Sequence, residues 1–345
     1  MKIERVEALH LRLPEVKLVA DGTQDVLIVR VHTDDGRVGL GEVVSCSYVG
    51  RAVIESPRSA PFRHGLAAIV PGMDSQDIEG IALAVEQGTA WYGPGGIARH
   101  AYSGLDMALW DLRGQAAGVP VRRLLSPTAV DCVPAYASVL WPARPDLVGA
   151  SARAFVETGY RYVKYGWAPM GPDLALDVEL VAAAREALGD DRGLMVDAGR
   201  AWTAVEAMKR AERFAEYGAF WLEEPLQPYD NSGYAELASA SPVPIAGGEA
   251  VTLLEEYDAL LATGLHFVQP DLGRVGGITY AQRLAATAHA RGCRPVPHAF
   301  GTGVLLAASA QWTAAAPQPL TEYTRAPSPL ARDLARHTME FRDGH

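Results

Sequence analysis

Cysteine is scarce in this chain: three in 345 residues, Cys46, Cys132 and Cys293, far apart and with no CxxC. That excludes a cysteine-built zinc site and a dithiol redox pair, and a sparse, odd count fits a reducing compartment. Positive charge is also short. Lys and Arg number 31 against 41 Asp and Glu, and no basic run relieves the net charge of −10. This excludes a phosphate-binding surface for nucleic acid. No apolar run reaches membrane-spanning length, and MKIERVEALHLRL alternates charged and apolar residues where a signal peptide would carry a continuous apolar core. A cytoplasmic protein with no membrane and no nucleic-acid partner is expected.

What is present suffices for a barrel plus a smaller domain. In residues 1–125, IERVEALHLRL, DVLIVRVHTDDG and RVGLGEV read as three strands, with DDG as a hairpin turn. Residues 46–64 read as irregular. IEGIALAVEQGTA and AYSGLDMALWDLRGQAAG have helical periodicity, the second stopped by Gly118 with Pro120 just beyond. The result is an α+β capping domain. Over 126–325 the pattern becomes strand–helix alternation, with strands at AYASV, YRYVKYG, LMVDAG, AFWLEEP, PIAGGE, HFVQPD, RPVPHAF and LTEYT. Such alternation predicts an α/β fold with a parallel sheet, closed as a TIM-type barrel. The charged segment 326–345 is expected to pack back on the first domain.

Three carboxylates stand near the ends of three successive predicted strands. Asp197, Glu223 and Glu249 lie 26 residues apart, in LMVDAG, WLEEPL and IAGGEAVT. That interval is roughly one strand–helix unit of such a barrel. Few ligands, all oxygen, favour Mg²⁺ over zinc or copper. Glu224 follows Glu223 directly, and adjacent strand residues face opposite ways, so the two cannot share one ion from a regular strand. VQPDLGRVGG (Asp271), VPHAFGTG (His298) and LTEYT (Glu322) follow at further unit lengths.

The order Lys164, Asp197, Glu223, Glu249, Asp271, His298, Glu322 resembles the enolase superfamily, in its mandelate racemase/muconate lactonizing enzyme branch. WLEEPL, GGE, QPDLGRVGG and PHAFGTG are similar to its recurring phrases, and DMALWDLRGQAAGVPV to the last helix of its capping domain. The resemblance implies a (β/α)7β barrel under a capping domain and Mg²⁺-assisted removal of a proton α to a carboxylate. It also implies a small carboxylate substrate and self-association into a homo-oligomer.

On this reading Asp197, Glu223 and Glu249 hold the metal, and the first Glu of the pair is the ligand. His298 is the base, its ordinary pKa near neutrality, and Asp271 fixes its tautomer. Lys164 binds the substrate carboxylate. Glu322 resembles the family's hydrogen-bond donor to the enediolate oxygen, which requires a protonated carboxyl and hence a raised pKa. One departure stands out. The branch commonly has Lys-x-Lys, the second lysine being the opposite-face base, whereas this chain reads Lys164-Tyr165-Gly166. Racemisation needs two bases and β-elimination one, so the departure favours a dehydratase or cycloisomerase.

The resemblance also places residues 14–24 and 45–64 as loops over the barrel mouth. Lys17, Tyr48, Arg58, Arg63 and His64, with Trp167 from the barrel, are the candidate substrate contacts. Polar and cationic loops suit hydroxyls or a second carboxylate. The expected function is therefore a Mg²⁺-dependent acid-sugar or sugar-diacid dehydratase. A lactone cycloisomerase and a hydroxy-acid racemase or epimerase are the alternatives. A metal-dependent hydrolase would want histidine-rich ligands.

Overall fold

The computed structural model describes residues 1–335 and 339–345. The N-terminal sheet is an antiparallel meander of β1 (Ile3–Arg12), β2 (Asp25–Thr33) and β3 (Val38–Val43). Its alternating sequence puts Leu27, Val29 and Val31 on the core face. The helix Ile97–Ala117 packs on that sheet so closely that a Cβ at Gly41 would stand 2.0 Å from the Gly104 carbonyl oxygen. It ends at Gly118 in the left-handed conformation. One expectation is corrected here: the stretch after Cys46 is a helix, Ser47–Glu55, not irregular chain. Ser47, Gly50, Val53 and Ile54 form its buried face. Cys46, at the N-cap, makes no side-chain cap, so the usual start signal is missing.

The remaining strands form one parallel sheet. They are β4 (Ala135–Leu140), β5 (Tyr162–Gly166), β6 (Gly193–Asp197), β7 (Ala219–Glu223), β8 (Ile245–Gly247), β9 (Phe267–Val268), β10 (Arg294–Pro295) and β11 (Thr321–Thr324). Their order is β10-β9-β8-β7-β6-β5-β4-β11, chain order around a curled sheet with a seam between β10 and β11. The seam is crossed by a side chain, since the Ala299 N–H donates to Glu322 Oε2 at 2.5 Å. Inside, Tyr136, Met195, Trp221, Ala246, Val296 and Leu320 pack as a separate apolar cluster, so the barrel is filled below its mouth.

Two buried carboxylates of the N-terminal unit cap barrel helices. Asp106 accepts from Thr279 N (3.0 Å) and Oγ1 (2.5 Å), at the start of helix Gly277–Ala290. Glu42 accepts from Thr302 N and Leu305 N (both 3.0 Å) and from Thr302 Oγ1 (2.5 Å), at the start of helix Gly303–Thr313. Burial pushes both carboxyls up to about 7 against these bonds. The segment after Ala326 divides its contacts. Ser328 Oγ donates to Thr23 O in the N-terminal unit, whereas Phe341 stacks on Tyr160 and Gly344 O accepts from Ala135 N on the barrel. Among the described residues no helix is long and apolar enough to cross a membrane.

Candidate active site

The parallel pairing sets Asp197 beside Glu223 and Gly166 beside Asp197, at the C-terminal ends of β5, β6 and β7. Glu249 follows β8, Asp271 follows β9 and His298 follows β10, while Glu322 lies within β11. A cleft of about 280 Å³ opens there, and Lys164, Asp197, Glu249, Arg274, His298 and Glu322 are among its lining residues. Glu223 and Asp271 lie behind that surface, fully buried.

Lys164 Nζ donates to Glu223 Oε1 and stands 2.9 Å from Glu322 Oε1. Burial alone would lower the Lys164 pKa, but Glu223 and Glu322 outweigh it and hold the ammonium firmly charged. The same pair corrects the expectation for Glu322. Burial would raise its carboxyl, yet Lys164 and His298 hold it down at about 2, so it is ionised and accepts the Ala299 N–H. The other oxygen of Glu223 accepts from Trp221 Nε1 (2.9 Å) and Gln269 Nε2 (2.7 Å).

His298 Nδ1 lies 2.6 Å from Asp271 Oδ2, and its Nε2 lies 3.3 Å from Glu249 Oε2. Asp271 Oδ1 accepts from Gly273 N at 2.7 Å, which fixes the carboxylate plane. Burial would depress the imidazole, but Glu249, Glu322 and Asp271 raise it to about 9. Arg274, three residues after Asp271, was not singled out by sequence reasoning. It stands 3.5 Å from Glu249 Oε1 and donates to Glu249 O and Val44 O, both at 3.2 Å. It therefore ties a metal candidate to the N-terminal unit. Gln269 was missed as well. Both lie in VQPDLGRVGG, where proximity to Asp271 was the available signal.

Gly166 is a matter of space. A Cβ there would stand 2.6 Å from Asp197 Oδ2 and 2.8 Å from Asp197 Cβ. Because the Asp197 Cβ is set by its backbone, no rotamer change makes room. Glu224 turns away from Glu223 through a left-handed backbone (φ 41) and accepts from Gly248 N at 2.7 Å. Burial and Glu249 push it up to about 8.

Do these residues suit a divalent cation? Among the described residues no three His, Cys, Asp or Glu side chains already form a coordination shell. Glu223 is engaged by Lys164, Glu249 by His298 and Arg274, and Asp197 accepts from Gly199 N at 2.8 Å. The donor chemistry nevertheless fits a hard cation. With all ionised, the buried Asp197, Glu223, Glu249, Asp271 and Glu322 outnumber Lys164, Arg274 and a protonated His298 by two charges. Burial, then their mutual repulsion, raises the Asp197 carboxyl, and burial, Glu322 and Glu249 raise Glu223. A dication relieves that excess.

Of the six residues expected to touch substrate, Trp167 lines the cleft. Its backbone is left-handed (φ 66), and the Arg200 guanidinium stands 5.5 Å over its ring. The structure does not bring the other five to the cleft: each lies outside the lining. Lys17 is tied through its main chain to Gln24, and Tyr48 stands edge-on to His10. Arg58 donates to Ala68 O, Arg63 lies over Trp91, and His64 O accepts from Tyr92. The loop 14–24 contributes Val19, Ala20, Asp21 and Gly22 instead.

Comparison with known proteins agrees with this geometry. Residues 6–126 match the mandelate racemase/muconate lactonizing enzyme N-terminal domain, and 147–345 match the enolase C-terminal domain-like family. The chain is 31% identical to D-galactarolactone cycloisomerase of Agrobacterium fabrum, covering 92% of this chain and 85% of that one. It is 35% identical to 3,6-anhydro-alpha-L-galactonate cycloisomerase of Streptomyces coelicolor (84% and 80%). It is 32% identical to L-talarate/galactarate dehydratase of Salmonella typhimurium (92% and 77%). Among solved structures, a racemase from Streptomyces coelicolor with bound magnesium is 31% identical, with a TM-score of 0.81 over 93% of this chain and 89% of that one. The 3,6-anhydro-D-galactonate cycloisomerase from Zobellia galactanivorans superposes with a TM-score of 0.89 at 26% identity, over 100% and 93%. The chain belongs to the enolase superfamily, in its mandelate racemase/muconate lactonizing enzyme branch.

Proposed function

We propose that this protein removes the proton α to the carboxylate of an acid sugar through His298 and then expels a β-substituent. One observation carries this reading: the site offers one base. His298 sits on Asp271, whereas Lys164 is held as an ammonium by Glu223 and Glu322, and position 166 has no room for a side chain.

Asp197, Glu223 and Glu249 would hold Mg²⁺, which when bound stabilises negative charge on the substrate carboxylate. Lys164, itself buried, adds a fixed positive charge to the same carboxylate. Asp271 keeps the Nδ1 proton in place, so Nε2 is the atom that takes the α-proton. The C–H electrons pass into the enediolate and then expel the β-hydroxyl. Nε2–H returns its proton to that leaving oxygen, and water departs. The enol left behind tautomerises to a 2-keto-3-deoxy acid.

A second reading, a cycloisomerase, has its own support. His298 is the one imidazole among the residues lining the cleft. A lactone expels a ring carboxylate, which needs no acid, so a site with a single acid/base group suits it well. Two of the three relatives above are cycloisomerases.

The test is incubation with Mg²⁺ in D₂O against acid sugars and their lactones, followed by proton NMR. Loss of the α-proton signal with a 2-keto-3-deoxy product supports dehydration. A ring-opened product from a lactone selects the cycloisomerase. Epimer formation without elimination overturns the one-base reading.

A further inference from the structure

We infer that Trp221 and Gln269 are positioning residues of the metal site. From inside the barrel they hold one oxygen of Glu223, so that this carboxylate offers a cation the other oxygen alone. The site is thereby fitted to a small ion such as Mg²⁺ and against Ca²⁺. This rests on the reading of Asp197, Glu223 and Glu249 as the metal set.

Trp221 and Glu223 are two residues apart on β7, so both side chains point into the barrel. Glu223 Oε2 accepts from Trp221 Nε1 at 2.9 Å and from Gln269 Nε2 at 2.7 Å. Gln269 follows β9 and reaches Glu223 across β8, whose Ala246 lies opposite Glu223 in register and is small enough to be passed over. Trp221, Glu223 and Gln269 are all fully buried. The indole is held in turn, its ring 5.5 Å from that of Tyr136 and 5.1 Å from that of Phe267. Two N–H donors occupy Oε2. Oε1 is left on the side of Lys164, which lines the cleft.

Stability does not account for Gln269. Its Oε1 is buried and finds no partner among the described residues, and its main-chain N–H is already on Gly247 O at 2.8 Å. A buried carbonyl without a donor opposes folding, so an apolar side chain would serve the core as well. What the amide supplies is the second donor to Glu223.

The other two carboxylates show the same division. Asp197 Oδ1 accepts from Gly199 N at 2.8 Å, and Glu249 Oε1 stands 3.5 Å from Arg274 Nη1. Each has one oxygen committed to the protein. Ca²⁺ takes about six to eight oxygens and often both from one carboxylate, whereas Mg²⁺ takes fewer, closer ones. Carboxylates that offer one oxygen each suit the second ion.

Calorimetric titration of the metal-stripped full-length protein with MgCl₂ and with CaCl₂ tests this in Gln269→Leu, Trp221→Phe and Glu223→Gln. Gln269→Leu is expected to weaken Mg²⁺ by about 10–100-fold. It should weaken Ca²⁺ less, since Oε2 with one donor fewer can turn to the larger ion. The melting temperature of the metal-free variant should stay near the native value. Trp221→Phe keeps a ring and loses the N–H, and it should move the ratio of the two affinities in the same direction. Unchanged Mg²⁺ affinity in Gln269→Leu, or an equal loss for the two ions, overturns the inference. If Glu223→Gln loses Mg²⁺ in that case, the metal reading stands. Unchanged Mg²⁺ binding in Glu223→Gln overturns both.

Discussion

Gly166 and Asp197 lie side by side on neighbouring parallel strands, and a Cβ at 166 would stand 2.8 Å from the Asp197 Cβ. In the branch's common pattern a lysine occupies this position. Here the same space is filled by the approach of a candidate metal ligand. The missing second base and the placement of Asp197 are therefore one structural fact.

Gly166→Ala is expected to overpack the strand pair by about 1–3 kcal/mol and to weaken Mg²⁺ binding by displacing Asp197. Thermal melting and calorimetric titration with Mg²⁺ check the two effects. Gly166→Lys is expected not to create a racemase. An active racemase in that variant would show that β5 and β6 can part enough to seat a lysine.

His298→Asn is expected to lower α-proton exchange by about 10²–10⁴-fold. Mg²⁺ binding should persist, changed by no more than about 10–100-fold, since His298 touches Glu249 from outside the carboxylate set. Solvent deuterium incorporation and metal titration on one sample separate the outcomes. Normal exchange would remove His298 as the base.

Asp271→Asn tests how the base is tuned. Burial depresses His298, and Glu249, Glu322 and Asp271 together raise it to about 9. Removing the Asp271 charge leaves less to favour the imidazolium, so the folded pKa falls. A base works when neutral, so the rising limb of kcat/KM against pH should move to lower pH in the variant. The plateau should fall too, because the tautomer is no longer fixed. A pH–rate profile of native and variant enzymes decides it; a limb displaced to higher pH contradicts the assignment.

Much of this was legible in the residues. The eight strand runs were visible because each is a short apolar stretch closed by a polar turn, and the three carboxylates fell one unit apart. Of the seven site residues, Asp197 and Glu223 end their strands, Glu249, Asp271 and His298 follow theirs and Lys164 and Glu322 lie within theirs, and the strand pattern that places them is visible in the sequence. The cleft's upper wall is not. Tyr48, Arg58, Arg63 and His64 sit on a segment whose course depends on the helix Ser47–Glu55, which lacks a cap signal. Lys17 and Val19 are two residues apart in one loop. The Gln24 side chain, gripping the Lys17 main chain at 2.8 and 3.1 Å, is part of what sets that loop's course. The ionisation of Glu322 was hidden for a different reason: it comes from Lys164 on β5, six strands earlier in the chain but within reach across β4 once β11 pairs with β4.

Glu249→Gln removes a negative charge from the proposed metal set. Even partners outside the coordination shell are worth about 10–100-fold in metal affinity, so this change is expected to weaken Mg²⁺ at least that much. Chelation of the native protein should abolish turnover, and Mg²⁺ should restore it. Unchanged Mg²⁺ affinity in Glu249→Gln, read by calorimetry, would move the metal site elsewhere.

Glu42 offers a test of how the N-terminal unit is fastened to the loop that follows His298. Its carboxyl is fully buried, with its oxygens on Thr302 and Leu305, and burial raises it from 4.5 to about 7. Because the folded state binds this proton more tightly than the unfolded chain, the contribution to stability is greatest below pH 4.5 and is lost as pH rises to 7. Two and a half pH units correspond to about 3 kcal/mol. Glu42→Gln has no proton to lose, and its fixed packing and hydrogen-bond costs are the same at both ends of this range. The stability of the native protein relative to Glu42→Gln should therefore fall by up to about 3 kcal/mol between pH 4.5 and 7, as measured by denaturant unfolding. A difference that stays flat across this range would mean that Glu42 is ionised throughout and that its three donors outweigh burial.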